Sequence, residues 1–360
     1  MALDAPSPIA PYDAPQKDLY EIGEMPPLGH VPKQMYAWAI RRERHGPPEQ
    51  SHQLEVLPVW EIGDDEVLVY VMAAGVNYNG VWAGLGEPIS PFDVHKGEYH
   101  IAGSDASGIV WKVGAKVKRW KVGDEVIVHC NRDDGDDEEC NGGDPMFSPS
   151  QRIWGYETGD GSFAQFCRVQ SRQLMLKPKH LSWEEAAATW MMFVTAYGAL
   201  VDIANVQAGQ TVLIRAASSS VGLAAIQIVN ALGAVPVALT RRSTKRDELL
   251  RHGAAHVIAT EEQDLVAEVN RITDGKGANV AFDPVGGPEV AKILEALGYL
   301  GIFFQYGALD TAPLAVPVMP LLGKDLTVRG YQLFEITKDP ARLEKAKDYI
   351  RAGDIFQVVP

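Results

Sequence analysis

A chain of 360 residues is too long for one small core, and at ~150 residues per domain it predicts two domains. With 46% hydrophobic and 22% charged residues the composition is that of a soluble globular protein, and no apolar run is expected to reach the roughly 20 residues that a membrane helix needs. The net charge of −14 argues against a nucleic-acid surface, which needs clustered Lys and Arg, yet leaves room for a local basic patch that takes a nucleotide.

The first 32 residues carry seven prolines and lack the basic start and apolar core of a secretory signal, so residues 1–34 read as a loosely ordered arm of a cytoplasmic protein. From Met35 the pattern becomes short alternating apolar runs, EVLVYVMAAGVN, SGIVWKVG and DEVIVHC, separated by Gly, Pro and Asp turns. Such spacing predicts a β-rich partial barrel over 35–180. Within it the stretch HCNRDDGDDEECNGGD, His129 to Asp144, holds two cysteines, a histidine and seven acids. Two thiolates with nine residues between them are too few for a closed tetrahedral zinc site, and the acids miss the spacing of a calcium loop. The stretch reads as a solvated loop, with a weak divalent-cation site as the alternative. Three cysteines do not make a disulfide framework and are expected as reduced thiols.

In KPKHLSWEEAAAT, Ser182 followed three residues later by Glu185 is a capping box that opens a helix. After Gly209 strands alternate with helices: VLIRA, VPVALT, HVIAT and NVAFDPV are each followed by a helical segment, and GIFFQYG and LTVRGYQLF add two more strands. This α/β rhythm predicts a doubly wound parallel sheet over 181–352.

The first strand of that half turns into its helix through RAASSSVGLAAIQ. The dinucleotide fingerprint G-x-G-x-x-G falls on Ala217, Ser219 and Gly222, so only the last is glycine, but backbone N–H groups of Ser218, Ser219, Ser220 and Val221 can still face a pyrophosphate at a helix N-terminus. An acid at the end of the second strand would hold the ribose hydroxyls of NAD. The sequence places Thr240-Arg241-Arg242-Ser243-Thr244-Lys245 there, which favours NADPH, with Arg241, Ser243 and Lys245 as contacts to the 2′-phosphate. A solvated basic helix start is the alternative.

A β-rich first half followed by a nucleotide-binding half whose turn reads A-x-x-S-x-x-G resembles the medium-chain dehydrogenase/reductase superfamily. The resemblance covers nearly everything from Met35 onward and implies a GroES-like partial barrel followed by a Rossmann domain. Its zinc-dependent members take a catalytic zinc ligand from a G-H-E segment. Here that segment reads Gly103-Ser104-Asp105, so the histidine is missing and no zinc is expected. Without a Lewis acid the hydride acceptor must be activated by conjugation, as in an enoyl thioester or a quinone.

VNYNGVW, GSDASGIVWKVG, the acidic stretch through IWGYET, GSFAQF and LMLKPKHLSWEEAA resemble crotonyl-CoA carboxylase/reductases. AASSSVGLAAIQ, GANVAFDPVGG and LTVRGYQLFEITKDPARL are more similar to zinc-free quinone oxidoreductases, which gives the look of a hybrid joined near residues 195–210, with residues 353–360 as a shortened return to the first domain. The resemblance implies NADPH-dependent reduction of an acyl-CoA such as crotonyl-CoA, with CO2 as a possible co-substrate, in a homo-oligomer that contacts neither membrane nor nucleic acid. By motif it places CO2 against Asn79 and the pair Tyr156-Glu157, with Glu157 fixing a water. The family's late histidine falls in VRGYQLF, where Tyr331 or Gln332 stands instead. Tyr331 serves there as a general acid or as plain core, and Asn77 and Asn79 also read as turn residues that bond their own main chain. The other enzyme class compatible with the motifs is a quinone or enone oxidoreductase. A hybrid that binds cofactor without turnover is the third possibility.

Overall fold

The computed structural model describes residues 15–133, 135, 148–337 and 339–352. By its internal contacts the chain divides into two compact units, Met1–Met191 and Met192–Pro360. The division lies inside the helix Trp183–Tyr197, later than the boundary at 180 that the sequence pattern suggests. The helix opens as expected: Glu185 N–H donates to Ser182 Oγ at 3.1 Å while Ser182 N–H donates to Glu185 Oε2 at 2.8 Å. Continued as a π-helical turn to Ile203, it is long and apolar enough to cross a membrane, which corrects the expectation that no run reaches that length. Within its most apolar stretch, 67% of the residues are buried inside the protein, so apolar length here reflects core packing.

The first unit is antiparallel. Strands β1 (Gln34–Ile40), β2 (Gln53–Pro58), β3 (Glu66–Ala74), β4 (His100–Ile101), β5 (Ala106–Val113), β6 (Glu125–Val128), β7 (Asn131–Arg132), β8 (Arg152–Ile153), β9 (Phe166–Gln170) and β10 (Leu174–Leu176) form three sheets. The orders are β2-β1-β4, β10-β6-β5-β3-β9 and the ribbon β7-β8. One face of the five-stranded sheet packs Leu68, Tyr70, Trp111 and Phe166 with β1, and the other packs Val67, Val69, Val126 and Val128 around Trp154. Residues 15–34 do not trail loosely as expected. Tyr20 and Met25 are buried, Gln165 Nε2 donates to Tyr20 O at 3.0 Å, and Trp111 Nε1 donates to His30 O at 2.7 Å, so prolines that deny this segment regular structure still leave it carbonyls to be captured by core side chains. Residues 1–14 lie outside the described part, as does most of the acidic stretch, including Cys140.

The second unit is one six-stranded parallel sheet of β11 (Thr211–Ile214), β12 (Val235–Thr240), β13 (His256–Ala259), β14 (Ala278–Asp283), β15 (Leu297–Gln305) and β16 (Thr327–Gly330), in the order β13-β12-β11-β14-β15-β16. The order reverses at β11, so β12 and β14 flank it in parallel register, Ile214 opposite Ala238 and Phe282. In a doubly wound sheet the crevice outside the C-terminal ends of the strands at this reversal is where ligands bind.

Candidate active site

Two constellations stand out, one in each unit. In the second, Arg215 follows β11 and the chain turns through Ala216, a non-glycine residue held at φ 50°. The helix Ser220–Ala231 then begins with Ser219 as its cap, Ser219 Oγ accepting from Gly222 N–H at 3.1 Å. That cap satisfies one of the four N–H groups a helix start leaves without partners, and the N–H groups of Ser220 and Val221 remain turned to the end of the helix. A Cβ on Gly222 would meet Ala217 O at 2.6 Å and Ala216 O at 2.7 Å, so this position demands glycine for close approach of helix and strand. Ala217 is fully buried beneath the turn.

The basic segment after β12 reaches this turn: Lys245 Nζ donates to Ser218 Oγ at 2.9 Å. Arg242 is engaged with Glu261 at 2.9 Å and Ser243 N–H donates to Glu262 Oε1 at 3.1 Å, whereas Arg241 is exposed at the strand end. Sequence reading missed two residues here. Tyr306 stacks on Phe282 with ring centroids 3.9 Å apart, and its buried hydroxyl lies near Ser219 but outside hydrogen-bond geometry. Asp283, fully buried, accepts from Arg215 at 2.9 Å and from Val285 N–H at 2.6 Å, holding the loop after β14; burial raises its carboxyl and Arg215 opposes that rise. Their signal was positional, since Asp283 ends β14, next to the reversal, and Tyr306 follows β15, one strand further out. A helix start with free N–H groups, small side chains, a lysine and an unsatisfied phenol fits the pyrophosphate and phosphate of NADPH.

In the first unit β3 ends at Ala74 and the loop Gly75–Asn77 leads into the helix Tyr78–Leu85. Asn77 occupies the cap position of that helix, but its side chain does not cap. Its Nδ2 instead donates to Asp105 Oδ2 at 2.9 Å. Nδ2 of Asn79 lies 2.6 Å from Ser104 Oγ, and its Oδ1, also buried, has no partner among the described residues. Neither asparagine bonds its own loop, so the reading of both as turn residues gives way to a ladder in which 77 and 79 meet 105 and 104. Asp105 also accepts from Met191 N–H at 3.2 Å, and complete burial raises its carboxyl well above the usual range. With Ser104 and Asp105 committed to the two asparagines, and the Cys130 thiol pushed up by burial, this donor set does not fit a zinc ion. Among the described residues no group of three His, Cys, Asp or Glu could hold a metal.

Tyr156 and Glu157 close the same region. The turn Trp154–Glu157 presses Gly155 directly onto the Gly103 carbonyl, leaving no room for a side chain at 155. The Tyr156 ring packs with Ile40, Ala83, Phe92 and Ala102, and thus against the helix that carries Asn79. Its hydroxyl donates to Ile89 O at 3.1 Å. Glu157 is turned onto its own backbone, Oε2 accepting from Ile153 N–H at 2.6 Å. Tyr331, in the second unit, is buried on an apolar strand end with its hydroxyl 3.4 Å from Val194 O, and burial pushes that phenol far up. Its surroundings are those of a packing residue, which revises the general-acid expectation. Gln332 is exposed.

Comparison with known proteins places these features. The alcohol dehydrogenase GroES-like domain family matches residues 63–179, and the zinc-binding dehydrogenase family matches 220–348. A crotonyl-CoA carboxylase/reductase of Cereibacter sphaeroides is 66% identical over 260 residues, 72% of this chain and 60% of that protein, so the match spans well under two thirds of that relative's length. A solved crotonyl-CoA carboxylase/reductase superposes with a TM-score of 0.82 at 53% identity, covering 94% of this chain and 84% of that one. A 2-octenoyl-CoA carboxylase reductase solved with NADP and 2-octenoyl-CoA superposes with a TM-score of 0.79 at 29% identity, covering 91% and 81%. The chain therefore belongs to the medium-chain dehydrogenase/reductase superfamily, built from a GroES-like domain and a Rossmann domain, and within it to the crotonyl-CoA carboxylase/reductases.

Proposed function

We propose that this protein is an NADPH-dependent reductase of α,β-unsaturated acyl-CoA thioesters such as crotonyl-CoA, and that it carboxylates its product with CO2. The observation that carries the reading is the Asn79 amide, held by buried Ser104 at one end and, among the described residues, without a partner at the other. A neutral, rigid amide of this kind suits CO2, which has no charge and only weakly basic oxygens.

NADPH held at the serine turn would supply a hydride, a proton with its electron pair, for the β-carbon of the thioester and would leave as NADP+. The electron pair left at the α-carbon as an enolate either forms a C–C bond to CO2, moving the negative charge onto the new carboxylate, or takes a proton. The chain's own residues bias that choice. Ser218 to Val221 and Lys245 hold phosphate, and Arg241 with Ser243 favours a 2′-phosphate. Asn79 orients CO2, and Tyr156 shares an apolar cluster with Ala83 of the helix that carries Asn79. Glu157 fixes a water once it leaves Ile153 N–H. The reading implies a cytoplasmic enzyme that is a homo-oligomer, for which the edge strand β16 offers unpaired backbone.

The test is NADPH oxidation with crotonyl-CoA, with and without saturating bicarbonate and carbonic anhydrase, the product identified by mass. Ethylmalonyl-CoA is the expected product. Butyryl-CoA alone restricts the reading to reduction, a second reading that the burial of Tyr331 at the family's histidine position favours. Absence of oxidation with any enoyl-CoA, combined with turnover of a free enone or quinone, overturns both.

A further inference from the structure

Ser104 and Asn79 contain a proton-counting problem whose solution fixes which end of the amide is free. Ser104 is fully buried, and among the described residues its hydroxyl has one hydrogen-bond neighbour, the Asn79 amide at 2.6 Å. If Nδ2 donates across this contact, two buried groups go unmatched. The Ser104 hydroxyl proton has no acceptor, and Asn79 Oδ1 has no donor among the described residues. Each unmade bond at a buried site leaves a desolvated polar group uncompensated. Turning the amide by 180° about its Cβ–Cγ bond changes the shape of nothing, because the oxygen and the NH2 group are nearly alike in size. The Ser104 hydroxyl then donates to the amide oxygen and both mismatches disappear. The separation agrees, since 2.6 Å is ordinary for O–H···O and short for a neutral N–H···O.

We propose that Ser104 is the positioning residue of Asn79: its hydroxyl donates to Oδ1 and so presents the Asn79 NH2 group as the free end of the amide. A free oxygen would repel the oxygens of CO2 and compete for its carbon, whereas a free NH2 offers two donors. The neighbouring rung runs the other way, Asp105 accepting from Asn77 Nδ2 at 2.9 Å, so the two residues that stand at the last two positions of the G-H-E segment of related dehydrogenases set the two asparagines in turn. The CO2 consequence rests on the proposed function. The orientation of the amide does not.

Two experiments separate them. A neutron structure of the deuterated protein is expected to show one deuteron on Ser104 Oγ pointing at Asn79 and the deuterated amide nitrogen on the side away from Ser104; an amide N–D pointing at Ser104 Oγ would overturn the inference whatever the enzyme does. In parallel, Ser104→Ala is expected to lower the ratio of ethylmalonyl-CoA to butyryl-CoA by roughly tenfold at equal bicarbonate, because the amide loses its one anchor, while NADPH oxidation falls much less. Ser104→Thr, which keeps the hydroxyl, restores the ratio. An unchanged ratio in Ser104→Ala, or an equal fall in both products, refutes the positioning role. A wild-type protein that makes butyryl-CoA only would refute the carboxylation reading and leave the neutron result to decide the orientation.

Discussion

The serine turn of residues 216–222 and the asparagine loop of residues 77–79 set out polar groups by opposite means, the first for the phosphates and the second for the CO2 of the proposed function. The turn works through its backbone: small side chains clear the way, a helix start supplies N–H groups, and charge arrives from Lys245 and Arg241. The loop works through side chains alone, each fixed by a partner from the Gly103–Asp105 segment. A backbone site tolerates Ala or Ser in place of glycine wherever there is space. A side-chain site depends on individual atoms and on the residues that orient them.

Substitutions should expose this asymmetry. Asn79→Ala is expected to have the largest effect, a loss of carboxylation of about 10²-fold with reduction of crotonyl-CoA much less affected, because removing one preorganised donor costs that much where charge develops. Product ratios by mass spectrometry check it, and equal losses in both reactions would mean that the loop is only structural. Next, removing Arg241 and Lys245 together should raise the Kd for NADPH by roughly 10- to 100-fold and leave that for NADH nearly unchanged, since charge-assisted hydrogen bonds are worth about 1.5–3 kcal/mol. Fluorescence titration of the two cofactors reads the difference.

The turn should fail by crowding where it does not fail by charge. Gly222→Val is expected to overpack against the carbonyls of Ala216 and Ala217 at about 1–3 kcal/mol, seen as a fall in Tm of several degrees with weaker NADPH binding. The first unit carries an acid sensitivity of its own. His100 is fully buried and held neutral down to about 3 from an ordinary 6.5, with desolvation as the main cause and His95 adding to it. The unfolded chain takes up a proton near 6.5 that the folded chain refuses, so stability present at neutral pH is lost progressively as the pH falls below 6.5. His100→Gln should flatten the slope of Tm against pH between neutrality and mild acid. The smallest effect is expected from Tyr331→Phe, which removes one long hydrogen bond to Val194 O and should cost no more than about 1 kcal/mol without altering kcat.

Much of this molecule is legible in order along the chain because its signals are local. The Ser182–Glu185 box, the strand and helix alternation after Gly209, and Gly222 each depend on neighbours a few residues away, and each appears where the periodicity puts it. The absence of an acid after β12, and the basic residues in its place, were likewise visible as letters. Tyr331 stayed open between general acid and core because a hydroxyl on an apolar strand looks the same in sequence whether it faces a substrate or the Val194 carbonyl.

The sequence by itself determined the two-part architecture, the phosphate turn and the identity of Asn79, since hydrophobic period, capping chemistry and motif spacing are properties of contiguous residues. Only the tertiary structure decided what those groups do with their hydrogen bonds. Asn77 and Asn79 meet Asp105 and Ser104 across more than twenty residues, Tyr306 comes to lie by Ser219, and residues 15–34 fold onto the barrel, because buried polar atoms must find partners wherever the fold brings them.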